Sequence, residues 1–242
     1  MFPDDIREKL MQEYKYRIEM HAHTKPVSGC SEISPEEMVK IYSELNYDAI
    51  VITNHFIKPP LSEMSKEDFI KRFMSGYEET KKAAENKSLT VLLGAEIRFD
   101  ENINDYLIYG IDENMLSEIY DWLKDGIEAF RKGYKMEKSV FVQAHPCRDG
   151  ITPVSPELLD GMETFNLHPG HNSRVGMAAH LAYENNIKIR IAGSDFHHLN
   201  CGHEGMCAVR TKTLPKDSFE LARILKNGEY VLEIGKDSIV LV

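Results

Sequence analysis

His21 and His23 stand two residues apart at the end of a strand-like run, Tyr16 to Met20. Side chains at i and i+2 of a strand point to the same face, so both imidazoles would project together, as a pair of metal ligands does. The arrangement recurs along the chain. His55 follows the run 48–54, Glu96 the run 91–95 and His145 the run 139–144. Asp195 and His197, again two apart, follow 189–194. Such imidazoles and carboxylates suit Zn, Mn or Fe, and two or three ions can share one bridging carboxylate. Glu96, alone on its strand end, is the candidate bridge. Paired ions hold a hydroxide at neutral pH, because bound water loses its proton far more easily than bulk water, and that hydroxide can attack phosphorus in line. A phosphate ester also needs cationic partners. Arg148, three residues after His145, and Arg174, in a loop before a helix, are the candidates.

These groups can meet only if the elements carrying them converge. An amphipathic opening, 4–14, is followed by the first strand. Ser34-Pro35-Glu36-Glu37 reads as a helix start, with Ser34 as N-cap, Pro35 first in the helix and Glu37 completing a capping box. Met38, Ile41, Tyr42 and Leu45 supply its apolar face. Further helices are expected over 66–86, 115–130, 175–184 and 218–225. Further strands are expected at 105–111 and 161–165, with strand, Gly-Lys-Asp turn and strand over 230–242. Strands separated by helices imply a parallel sheet with helices outside. An open sheet would leave the first and last strand ends far apart, whereas a closed barrel points every strand end at one mouth. The expectation is therefore a single-domain α/β barrel over residues 1–242, of about seven strands. Its core motifs fall in 17–205, and the C-terminal helix and strand pair in 216–242.

The chain has 242 residues, enough for one such core, with 29 basic against 39 acidic side chains and a formal charge of −10. That balance argues against long nucleic-acid tracts and anionic membranes as partners. No apolar run approaches the roughly 20 residues of a membrane helix. Cys30, Cys147, Cys201 and Cys207 show no zinc-knuckle spacing, and no signal peptide is evident, which together suggest a cytoplasmic location.

The ordered set His21-Ala22-His23, Thr53-Asn54-His55, Gly94-Ala95-Glu96, Ala144-His145-Pro146-Cys147-Arg148 and Gly193-Ser194-Asp195-Phe196-His197 resembles the motifs of the polymerase and histidinol phosphatase (PHP) superfamily. Gly161 to Asn166 resembles that family's glycine-X-glutamate strand. The resemblance implies a distorted (β/α)7 TIM-like barrel holding two or three divalent ions and hydrolysing phosphate esters. It places His21, His23, Glu96 and Asp195 on one ion, His145 with Glu96 on a second, and His55 and His197 on a third. Three positions depart from the family pattern. Cys30, with Glu32 close by, falls where an Asp or His usually follows the first pair. Asn54 replaces an aspartate. No histidine lies between Glu96 and His145, where many members have one. His168 and His171 are the candidates to fill that gap.

Several of these residues also admit plainer readings. Cys30 is either a thiolate ligand or a small buried thiol. On a continuing strand His198 would point away from His197, but past the strand end it becomes a candidate substrate contact. Glu163 and Asn166 read either as groups behind the ligands or as strand-edge residues. His180 reads as helix surface or packing, His203 as loop, Arg148 as a carboxylate cap and Arg174 as solvated surface. The leading function is a metal-dependent hydrolase of phosphate monoesters, acting through a metal-bridging hydroxide on a small or nucleotide-like substrate. The alternatives are metal-assisted amide hydrolysis on a related barrel and a catalytically reduced PHP barrel serving as a binding or regulatory module. Loops such as 58–65 and 198–205 would set specificity, and oligomeric state stays open.

Overall fold

In the computed structural model, which describes residues 4–59, 64–235 and 238–242, the chain runs α1 (Asp4–Glu13), β1 (Tyr16–Ala22), α2 (Pro35–Glu44), β2 (Ala49–Ile52), β3 (His55–Phe56), α3 (Lys66–Ala83), β4 (Thr90–Arg98), β5 (Asp105–Tyr109), α4 (Glu113–Trp122), α5 (Gly126–Gly133), β6 (Val140–Gln143), β7 (Gly161–Asn166), α6 (Val175–Glu184), β8 (Ile189–Gly193), β9 (Cys207–Thr211), α7 (Ser218–Lys226), β10 (Tyr230–Ile234) and β11 (Ser238–Leu241). Helix α2 starts as its sequence requires. The Ser34 side chain accepts the Glu37 N–H, the Glu37 carboxylate accepts the Ser34 N–H, and Pro35 opens the helix. Lys236 and Asp237 of the expected C-terminal turn, and residues 60–63 of the expected specificity loop, lie outside the described residues.

Strands β1, β2 and β4 pair in parallel, as do β6, β7 and β8. The short β3 joins β4 in parallel and sets His55 opposite Glu96. Beyond the other edge of β1, strands β9, β10 and β11 follow, each antiparallel to its neighbour. The sheet curls until the chain just past β8 meets β1. The His23 N–H donates to the Phe196 carbonyl at 3.1 Å, and the Phe196 N–H to the His21 carbonyl at 3.2 Å. The result is the expected distorted α/β barrel, with one correction: the sheet is mixed, not wholly parallel. Strand β5 runs antiparallel to both β4 and β6. A parallel crossover needs roughly a dozen residues or more, and the link 99–104 is far shorter, so the chain must turn straight back. Asp105, the first residue of β5, therefore sits at the end of the barrel where β4 finishes.

Alternation along the strands divides the core. Ile18 and Met20 of β1, Val51 of β2, Leu107 and Tyr109 of β5, Val142 of β6 and Ile191 of β8 form one buried cluster. The Tyr109 hydroxyl crosses it to donate to the Met20 carbonyl at 3.0 Å. The intervening residues Tyr106, Ile108 and Phe141 pack instead against Phe69 and Phe73 of α3, Leu116 of α4 and Phe130 of α5. Each such side chain contributes about 1.5–3 kcal/mol on burial, which holds the helices to the sheet.

Two further expectations are corrected. The single helix over 115–130 is broken after Leu123. Gly126 takes φ +80°, open to glycine without strain, and Glu101 accepts the Ile127 N–H at 3.0 Å to start α5. Strand β9 carried no expectation, because Arg210 interrupts its apolar run. That guanidinium is buried, but it donates to Glu233 at 2.6 Å and to the Tyr14 carbonyl at 2.9 Å. No helix among the described residues is long and apolar enough to cross a membrane.

Candidate metal centre

The register between β1 and β2 slips between Glu19 and Ala22. Such irregularities bend a strand and re-aim its side chains. The fully buried Glu19 carboxylate takes up the His21 N–H at 3.0 Å and the Ser194 N–H at 3.0 Å, while the Tyr42 hydroxyl donates to it at 2.9 Å. Burial pushes this carboxyl's pKa up, against those hydrogen bonds. Past the slip, the His21 and His23 rings lie 4.9 Å apart, centroid to centroid.

Glu96 is 1% exposed. His145 Nε2 and His21 Nε2 lie 3.1 and 3.4 Å from its Oε1, and His55 Nδ1 and His23 Nε2 lie 2.8 and 3.5 Å from its Oε2. Asp195 faces the same space. Its Oδ1 is 3.4 Å from His21 Nε2, 3.3 Å from His23 Nε2 and 3.2 Å from His197 Nδ1. The structure thus brings together His21, His23, His55, Glu96, His145, Asp195 and His197. Among the described residues the donors form three overlapping sets, each with its atoms within 4.8 Å of one another: His21, His23 and Glu96; Glu96, Asp105 and His145; and His23, His55 and His197.

The donor chemistry fits divalent cations. His21 Nε2, His23 Nε2, His55 Nδ1 and Glu96 Oε2 are buried with no aligned hydrogen-bond partner. Buried polar atoms are partnered in more than about nine cases in ten, and each orphan costs about 1–3 kcal/mol. Four orphans facing one space are explained if cations are their partners.

Without metal, the cluster holds protons instead. Burial disfavours the charged form of His21, but Asp195, Glu163 and Glu96 outweigh it and hold its pKa well above the usual value. Against burial, Glu96 raises His55 to about 10 and Asp195 raises His197 to about 9. His23, buried and facing His197 and His55, is driven well below the usual value. Burial opposes the charges of Glu96 and Asp195 too, yet the surrounding imidazoles keep both carboxyls well below their usual range. Metal must displace the imidazole protons. Zinc uptake at neutral pH is therefore expected to release protons, seen as a buffer-dependent heat in titration calorimetry. Affinity should rise as pH climbs above neutrality, because His21, His55 and His197 all hold their protons beyond the usual imidazole range. Affinity independent of pH, with no proton release, would contradict this.

A layer of hydrogen bonds aims the ligands. Buried Glu163 accepts from His21 Nδ1 at 2.9 Å, from the His145 N–H at 2.8 Å and from Asn166 Nδ2 at 3.0 Å. With its proton on Nδ1, His21 turns the Nε2 lone pair inward. A Cβ on Gly193 would come within 2.5 Å of both Glu163 Oε1 and His21 Cβ, so only glycine allows this approach. Asn54 accepts the Thr24 N–H at 2.7 Å and the Ser28 hydroxyl at 3.0 Å, and that hydroxyl lies 3.2 Å from His23 Nδ1. The asparagine thereby braces the loop behind His23 without any negative charge. His145 and Asp195 adopt φ of +29° and +54°. Such conformations cost non-glycine residues about 1–3 kcal/mol and persist where the surroundings impose them.

Asp105 carried no expectation as a ligand. It is almost fully buried, with Oδ2 3.9 Å from His145 Nε2, and Arg98 grips its two oxygens at 2.7 and 2.8 Å. Burial and the neighbouring Glu96 raise its pKa. The short link 99–104 was the available signal, since a hairpin there brings the start of β5 beside the end of β4. Asp105 thus stands next to Glu96 and His145, where His168 and His171 were the candidates. His171 Nδ1 instead lies 3.4 Å from Asp195 Oδ2, and the His168 ring stacks on His171 at 3.8 Å. Burial lowers the His168 pKa to about 3.

The remaining candidates are spread around the opening. Cys30 is on the exposed rim; desolvation raises its thiol pKa, but contacts with His197 and His55 bring it down to about 6. Arg98 and Arg148 line the metal-facing cavity of about 240 Å³. His198 is exposed at its edge, past the end of β8, 3.9 Å from Glu32. Arg174 is tied elsewhere, to the Cys147 carbonyl at 2.8 Å and to the Asp149 carboxylate. His180 is exposed on α6. His203 is buried, its ring 5.4 Å from that of Phe196.

No curated protein matches the chain. Among solved structures, a two-domain protein from Bacteroides vulgatus containing a predicted PHP-like metal-dependent phosphoesterase aligns with a TM-score of 0.62 at 16% identity, covering 91% of this chain and 65% of that one. This chain therefore spans somewhat under two thirds of that relative. A candidate metal-dependent phosphoesterase from Bifidobacterium adolescentis aligns at 0.48 and 16% identity, over 75% of this chain and 87% of that one. An amidohydrolase from Chromobacterium violaceum, with bound sulfate and no metal, aligns at 0.47 and 15%, over 76% and 88%. The Bacteroides alignment shows a shared fold. A model of the PHP domain matches residues 19–192, from the carboxylate behind the first histidine pair almost to the end of β8. With that match over most of its length, the chain belongs to the PHP-domain family.

Proposed function

We propose that this protein is a metal-dependent phosphoesterase that hydrolyses phosphate monoesters of small or nucleotide-like molecules. The observation that carries the proposal is the ring of four imidazoles around the buried Glu96, several of their nitrogens unpartnered, at a cavity lined by Glu96, His55 and His145 together with Arg98 and Arg148. His21, His23, Glu96 and Asp195 would hold one ion, and Glu96, Asp105 and His145 a second. His55 and His197, with Cys30 beside them, would serve a third. When bound, the ions supply Lewis-acid charge and an activated water.

The chain's own residues do the rest. Arg148 pairs with non-bridging phosphoryl oxygens, as a guanidinium does with any phosphate. Arg98, held by Asp105, presents a fixed positive charge to the same cavity. His198, at the rim, would contact the substrate at the cavity edge. Glu163, Asn54 and Glu19 keep the ligand rings aimed, so that little reorganisation accompanies reaction.

Purified protein supplied with Mn²⁺ or Zn²⁺ is expected to hydrolyse a generic phosphomonoester, and His21→Ala is expected to abolish that turnover. Asp105→Ala should lower kcat/KM by about 10²-fold or more and reduce the bound metal per chain. A well-folded, metal-replete protein that fails across a broad phosphate panel would instead be a binding module. An Asp105→Ala variant with unchanged metal content would remove Asp105 from the ligand set.

A further inference from the structure

Beside the metal-facing cavity of about 240 Å³ lies a second, of about 270 Å³, and the two share Cys30 and His55. Their chemistry differs sharply. The first is lined by imidazoles, carboxylates and arginines. The second is walled, among the described residues, by Val27 from the loop after β1, Ile57 just past β3, Met64, and Phe69 and Phe73 of α3. Phe69 and Phe73 are almost fully buried and form its floor, while Val27, Ile57 and Met64 are half-buried. Arg72, at its edge, is turned away to the Pro26 carbonyl, to which it donates at 2.9 Å. Small-molecule sites generally run from roughly 300 to 1,000 Å³ and combine an apolar wall with a few converging polar groups. Neither cavity reaches that size alone. Joined through Cys30 and His55, they do, with the polar groups at one end and the apolar wall at the other.

We propose that the apolar cavity receives the alcohol portion of the substrate, so that the enzyme prefers phosphate monoesters of flat, apolar, aryl-bearing alcohols over those of sugars and polyols. This rests on the phosphomonoesterase reading of the metal-facing cavity and adds to it a substrate class. A phosphoryl group among Arg148 and the metal ligands leaves its ester oxygen near the shared edge at His55. The attached group then lies over Val27 and Ile57 and against the faces of Phe69 and Phe73. An aryl ring there exchanges water for aromatic and aliphatic contact. A polyol in the same place loses hydrogen bonds to water that these walls cannot replace.

The test compares 2-phenylethyl phosphate with glycerol 3-phosphate on the metal-loaded protein. Both are primary alkyl esters, so intrinsic reactivity does not decide the comparison. The expected kcat/KM ratio favours the phenylethyl ester by about 10²-fold, within the range a hydrophobic pocket can deliver. Ile57→Asp, which puts a carboxylate into the apolar wall, should collapse the ratio to about one or below. Val27→Asp serves as an independent second variant should Ile57→Asp fail to fold. Equal turnover of both esters by the unaltered protein would overturn the pocket assignment and leave the phosphatase reading standing. Full preference retained in a folded Asp variant would overturn it as well. Turnover of neither ester would overturn the substrate class, and failure across the broad phosphate panel as well would overturn the phosphatase reading with it.

Discussion

Glu96→Gln is expected to reduce phosphomonoester turnover by at least about 10³-fold, or about 4 kcal/mol of transition-state stabilisation. The amide keeps the size and shape of the side chain, so the fold should survive. What it loses is charge and the second acceptor oxygen. Oε1 faces His21 and His145, while Oε2 faces His23 and His55. Each oxygen thus belongs to a different part of the cluster, and one carbonyl oxygen cannot serve both. The –NH2 group would meet imidazole nitrogens that already lack partners. Metal analysis should show fewer ions per chain than in the parent protein. In the metal-free variant the nearby imidazoles, His55 above all, lose the charge of Glu96 and should titrate at lower pH by NMR. Turnover within tenfold of the parent protein, at unchanged metal content, would show that Glu96 is not a bridge.

Glu163→Gln is expected to weaken metal binding by about 10- to 100-fold without touching a ligand. The Glu163 carboxylate takes a proton-bearing His21 Nδ1 on one oxygen and the His145 N–H on the other. A glutamine can satisfy only one of these as an acceptor. If its –NH2 turns toward His21, Nδ1 must become the acceptor and the proton moves to Nε2, where it blocks the lone pair that faces Glu96 and Asp195. If its –NH2 turns the other way, the His145 N–H is left buried and unpaired in a backbone already at φ +29°. Chelator competition would measure the affinity, and thermal unfolding of the chelated variant would report the structural cost separately. A purely structural role would lower the unfolding temperature of the metal-free protein and leave its metal affinity unchanged.

The ligands of this site were legible because most of them end parallel strands. His21, His55, Glu96, His145 and Asp195 each close an apolar run, and a barrel points such ends at one mouth. The same logic concealed Asp105. In an antiparallel strand, the residue nearest the mouth comes first, not last. Arg210 disguised β9, since a lone arginine in a short apolar run reads as loop until Glu233 and the Tyr14 carbonyl are brought to it. Glu19 occupies what looks like the solvent face of a half-buried strand. Tyr42 of α2 covers that face, and Glu19 there accepts the backbone N–H groups of His21 and Ser194. Asn54, read as the loss of an aspartate, proved to need no charge for its bonds to Thr24 and Ser28. Of the apolar cavity only the loop 58–65, which supplies Met64, was legible in the sequence, because Val27, Ile57 and Phe73 meet only after two strands and a helix are in place.

The most direct test is anomalous diffraction from crystals of the zinc- or manganese-loaded protein, collected at the metal edge. One peak is expected among His21, His23, Glu96 and Asp195, and a second among Glu96, Asp105 and His145. A fully loaded crystal with no peak at either position, its imidazoles still paired to the carboxylates as in the metal-free cluster, would contradict a metal centre in this barrel.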